Sequence, residues 1–161
     1  MILVKTVMTK TRAYLHYRLG AFIFYSSLGS LNEKLHHYGV LSLRRAADIG
    51  HNRAAFLLGL RLMYRGKNNA YQALGIEYLR KAASNGDCQP QFMLAEALNE
   101  SALNHKADSE ILSLYEKSAS QGHKMAALRL SKAYEQGMFG LTINQKKADD
   151  WSQKFLADSE L

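Results

Sequence analysis

Cysteine and proline are nearly absent from this 161-residue chain, and each scarcity excludes something. A lone Cys88 rules out an intramolecular disulfide and any multi-cysteine metal cluster, and it fits a reducing compartment. One proline, Pro90, suits an all-helical chain, since proline is costly inside helices, and its place near a helix start does no harm. Acidic residues are scarce in the N-terminal third: residues 1–50 hold seven Lys/Arg against two Asp/Glu, so +5 of the formal net charge of +7 lies there. Long apolar runs are missing as well. The uncharged run 19–31 falls short of the roughly 20 residues that span a bilayer. No G-x-S-x-G, H-E-x-x-H or glycine-rich dinucleotide fingerprint occurs. The stretch from Gly59 to Gly66-Lys67 is no phosphate loop, because six residues separate the glycines where that loop has four, and Asn68 replaces its Ser/Thr. We therefore expect no enzyme, no cofactor and no metal. What remains is ordinary for a folded protein, 47% hydrophobic and 22% charged.

The organising feature is a phrase present three times: LRRAADIGH at 43–51, LRKAASNGD at 79–87 and YEKSASQGH at 115–123, each copy 36 residues after the last. A fixed period of this size marks a solenoid of helix pairs, each too small to bury its own apolar face. Gly50, Gly86 and Gly122 read as helix stops in left-handed conformation. Arg45, Lys81 and Lys117 sit in last turns, where positive charge favours the helix dipole.

First helices show apolar stripes at i, i+3, i+4, i+7: Ala55, Leu58, Gly59, Leu62; Gln91, Leu94, Ala95, Leu98; Ala127, Leu130, Ser131, Tyr134. Second helices repeat the pattern with Gly75, Tyr78, Leu79, Ala82; Ile111, Leu114, Tyr115, Ser118; Ala148, Trp151, Ser152, Phe155. Inner loops fall at 65–70, 101–105 and 137–145, the last with Gly137 and Gly140 for its turns and Asn144 as a helix cap. The expected organisation is a degenerate N-terminal repeat or capping helices at 1–51, then repeats at 52–87, 88–123 and 124–161.

Residues 1–11 begin no clear pattern and are expected to be loose. Leu15, Leu19, Phe22 and Ile23 then form a helical stripe, and Asn32 caps a second helix running to Ile49. Basic residues Lys5, Lys10, Arg12 and Arg18 before the uncharged run, with the small-x-small triplet 27–29, admit a secretory signal or a membrane-surface segment. The favoured expectation is a helix that closes the open end of the array. A cytoplasmic protein is expected, or an exported one if this stretch is a signal.

The run Ala127, Leu130, Ser131, Tyr134, Gly137, Gly140-Leu141, Ala148, Trp151, Lys154, with its counterpart from Leu58-Gly59 to Gly86, resembles the Sel-1-like repeat, a relative of the tetratricopeptide repeat. The resemblance covers about residues 43–155; the second repeat departs from it with Ser101 opening a loop that lacks the usual glycine, and 1–42 hardly follows it. It implies an all-α, right-handed α/α solenoid acting as an adaptor that holds another protein on its concave face. One branch of the family, linked to β-lactam binding, has paired cysteines in each repeat, and a chain with only Cys88 shares none of that.

If that geometry holds, the partner-binding residues are Phe56, Leu60 and Tyr64, then Phe92, Glu96 and Glu100, then Lys132 and Gln136. Phe56, Phe92 and Leu128, one column at period 36, are expected instead to pack repeat against repeat. His51 and His123 are read as caps, too far apart to share a metal ion. Nucleic acid or a membrane surface, met by the basic N-terminal segment, are the weaker alternatives to a protein partner.

Overall fold

The computed structural model of the protein describes residues 2–25, 32–66, 68–101 and 108–156. Among them are eight α-helices, one short 3-10 turn and no strand: α1 (Ile2–Tyr25), α2 (Glu33–Asp48), α3 (Asn52–Arg65), α4 (Asn69–Ala83), α5 (Cys88–Glu100), α6 (Asp108–Ser120), α7 (Lys124–Gln136), the turn Met138–Gly140 and α8 (Gln145–Leu156). The triplet 27–29, positions 30 and 31, and all of the loop 101–105 except Ser101 lie outside the described residues, as does the side chain of Phe155. The helices form two compact units, Met1–Asn85 and Gly86–Leu161.

In the first unit each helix packs on the next, α1 on α2, α2 on α3 and α3 on α4. Two glycine pairs set the closest crossings. A Cβ on Gly59 would lie 2.8 Å from Leu79 Cγ and 3.0 Å from the Gly75 carbonyl; a Cβ on Gly20 would lie 2.8 Å from Leu43 Cγ and 3.0 Å from the Gly39 carbonyl. α1 and α2 thus cross as α3 and α4 do and form a helix pair of the same kind. The core between the two pairs is Leu43, Ala46, Ala47, Ala54, Leu57 and Leu58, with Tyr78 and Ala82 behind. Alanines hold the centre because close-packed helices leave no room for more.

Two expectations about α1 are corrected. It begins at Ile2, so residues 2–11 are helical: they contain no glycine or proline to stop a helix. Its inward face is not the stripe of Leu15, Leu19, Phe22 and Ile23. Only Ile23 is buried; the face toward α2 is built on Ala13, Gly20 and Ile23, with Tyr17 half-buried beside it. The Gly20 contact fixes this rotation, since no larger residue fits at that crossing.

In the second unit α5 packs on α6, α6 on α7 and α7 on α8. Leu94, Leu98, Ile111, Tyr115 and Leu130 are fully buried or nearly so. Ser118, which stands where the earlier phrases have alanine, is buried and donates its hydroxyl to the Cys88 carbonyl at 2.8 Å.

The helix ends behave as the sequence indicates. Gly50, Gly86 and Gly122 have φ of 93°, 91° and 87°. Asn32 accepts from the amides of Lys34 and Leu35, and Asn144 from Lys147. His51 and His123 are N-caps, each accepting at Nδ1 from the amide three residues on, Ala54 and Ala126, at 3.3 Å.

Candidate functional site

Two concave patches, one in each unit, gather half of the side chains singled out in the first helices. In the first unit Phe24, Leu60, Arg61, Tyr64 and Arg65 line a shallow cavity of about 270 Å³. Leu60 and Tyr64 are one turn apart on α3 and face the same way. The Arg61 guanidinium lies 5.9 Å from the Phe24 ring centroid and donates to His36 Nε2 at 2.6 Å. Burial, with help from the like charge of Arg65, moves the Arg61 pKa below its usual value. The patch is aromatic with a cationic rim.

In the second unit Asn99, Tyr115, Arg129, Lys132, Gln136, Met138 and Phe139 surround a cavity of about 240 Å³. Its wall is fixed by a network. Arg129 donates twice to Glu96, from Nε to Oε1 at 2.9 Å and from Nη2 to Oε2 at 2.6 Å, and the Tyr115 hydroxyl donates to Oε1 at 2.5 Å. Burial above all, then the bond to Glu96, pushes the Tyr115 phenol well above its ordinary pKa. The hydrogen bond to Glu96 likewise raises that of Arg129. Phe139 closes one side from a left-handed backbone, φ 56°, that a bulky residue rarely adopts, with its ring 6.1 Å from that of Tyr115. Glycines at 137 and 140, both at positive φ, let the chain turn sharply enough to present it.

The expected binding residues therefore divide. Leu60, Tyr64, Lys132 and Gln136 line the two cavities. Glu100 is exposed at the end of α5. Phe56 is half-buried against the core of the first unit. Phe92 is buried, stacked on His123 at 4.4 Å, as the packing reading of its column requires; Tyr17 stacks on His51 in the same way at 4.3 Å. Glu96 is a correction. It was expected on the surface, but it is 9% exposed and its carboxylate is engaged by Arg129 and Tyr115. Helical spacing put Glu96 on the outer face of α5; α6 and α7 supply the partners that draw it in.

Sequence reasoning missed Arg129, Tyr115 and Phe139. Tyr115 looked like ordinary core, and the Glu96–Arg129 pair spans 33 residues, too far for any local pattern. Phe139 between two turn glycines was the available signal. Among the described residues no group of three His, Cys, Asp or Glu could hold a metal ion.

No family model matches the chain, and neither does any curated protein. Among solved structures it is similar to a protective antigen present in uropathogenic Escherichia coli strains, described as displaying an SLR fold, with a TM-score of 0.75 and 22% sequence identity. That likeness covers 92% of this chain but 31% of the antigen's. It is also similar to a Sel1 repeat protein from Oxalobacter formigenes, with a TM-score of 0.62 and 25% identity over 71% of this chain and 87% of that one.

Proposed function

The chain has the Sel1-repeat fold, and we propose that it is a non-catalytic module whose first helices hold another protein. One observation carries this reading. Leu60 and Lys132 stand 72 residues apart, two periods of 36, and so do Tyr64 and Gln136; these matching positions line the cavity of their own unit. Each unit thus offers a partner the same two positions of a first helix. Each patch also combines an aromatic ring with cations: Phe24 and Tyr64 with Arg61 and Arg65, then Phe139 with Arg129 and Lys132. That chemistry suits a segment bearing both apolar and acidic side chains, the aromatic and arginine groups being the usual anchors of protein interfaces. Arg129 comes pre-oriented by Glu96, which lowers the entropy lost on binding.

The test uses a partner captured from cells of origin and titrated against folded variants. Tyr64→Ala with Arg65→Ala, and separately Lys132→Ala with Gln136→Ala, should each weaken binding about tenfold or more. Affinity unchanged in both double variants, with helicity intact, would refute the assignment.

A further inference from the structure

Met8, Leu15, Leu19 and Phe22 of α1 point to solvent, Leu15 and Phe22 with 62% and 63% of their surface exposed. At 100° per residue these four fall on one narrow stripe, and exposed Tyr14 and Tyr25 flank it on one side. The opposite face of α1 is already committed to α2 through Gly20. Exposed Arg12 and Arg18 border the stripe on its two sides, and Arg18 donates to the Tyr14 hydroxyl at 3.2 Å. Residues 1–32 contain four Lys/Arg and no Asp or Glu.

A further repeat is a poor fit for this face. Superposing the crossings at Gly20 and Gly59 places Leu15 at the position of Ala54, Arg18 at that of Leu57 and Leu19 at that of Leu58. α3 buries those three against α2, with Ala54 at 0% exposure. A leucine where a close crossing needs alanine, and an arginine where it needs leucine, oppose the same stacking. A second copy docking through α1 would set two wholly cationic segments side by side, which is unfavourable. An anionic bilayer surface accepts both features, apolar side chains in the acyl boundary and cations among the phosphates.

We infer that α1 seats this protein on an anionic lipid surface. The helix lies along the interface, about 36 Å long at 1.5 Å per residue. Leu15, Leu19 and Phe22 enter the boundary, while Arg12 and Arg18 meet headgroup phosphates. α1 lies on the surface; among the described residues no helix is long and apolar enough to cross a membrane.

Full-length protein is sedimented with vesicles of phosphatidylcholine alone, or of equal parts phosphatidylcholine and phosphatidylglycerol. Binding is expected only to the anionic vesicles, falling with added salt. Leu15→Gln with Phe22→Gln, and separately Arg12→Gln with Arg18→Gln, should each lower partitioning about tenfold. Both pairs replace exposed residues, and unchanged helicity checks their fold. Arg44→Gln with Arg45→Gln, on α2, should leave partitioning unchanged. No binding to the anionic vesicles, equal loss with the α2 pair, or a lipid-free dimer that Phe22→Gln dissociates would overturn the inference.

Discussion

One carboxylate, that of Glu96, receives three hydrogen bonds, two from Arg129 and one from Tyr115. Removing it leaves a fully buried phenol and a half-exposed guanidinium without their acceptor. Glu96→Ala should therefore cost about 1–3 kcal/mol in urea unfolding, the lower part of the range applying because Arg129 can turn to water. Lys132→Ala, on the same concave side but exposed, should stay within about 0.5 kcal/mol. The two capping histidines give a pH signature. Burial lowers the pKa of both His51 and His123 from their ordinary value. In His123 the neutral ring accepts at Nδ1 from Ala126 and donates from Nε2 to Gln89, so a second proton has no place at Nδ1. The unfolded chain then binds more protons than the folded one. Their contribution to stability is present above the unfolded pKa of about 6.5 and lost as pH falls below it. Urea midpoints should drop between neutral pH and pH near 5, and His51→Asn with His123→Asn, which keeps a capping oxygen but cannot titrate, should flatten that drop.

At the scale of helices, the crossings rest on glycine. A methyl group at Gly59 would press on Leu79 N at 2.9 Å and the Gly75 carbonyl at 3.0 Å, neither of which can swing away. Gly59→Ala should destabilise by about 1–3 kcal/mol despite its better helix propensity, and Gly20→Ala should do the same if α1 and α2 are an equal pair. A thermal melt of Gly20→Ala matching the unsubstituted protein would show α1 to be loosely attached. Most elements were legible in the sequence: the triple phrase located three helix ends, and the stripes of α3 to α7 are buried as read except at half-buried Leu62 and Ser131. α1 was not, for a physical reason. Apolar residues lie on nearly all sides of it, so periodicity could not tell the inward face from the outward one. Gly20 and Gly39, small residues central to their helices, held the information.

At the scale of the molecule, the period of 36 residues repeats the fold and also places equivalent side chains in each unit. Leu60, Tyr64, Lys132 and Gln136 were readable as outward positions because spacing alone defines them. Phe92 and Glu96 were not, because their burial depends on His123, Tyr115 and Arg129, brought in by other helices. The measurement that bears most directly on the binding role is site-specific photocrosslinking in cells of origin, with a photoreactive residue placed at Tyr64, Gln136, Glu77 or Glu116 in turn. The two first-helix positions should crosslink one and the same protein, and Glu77 and Glu116, exposed on second helices, should not. Adducts of that protein forming equally from Glu77 and Glu116, or none from Tyr64 and Gln136, would contradict a partner held on the first helices.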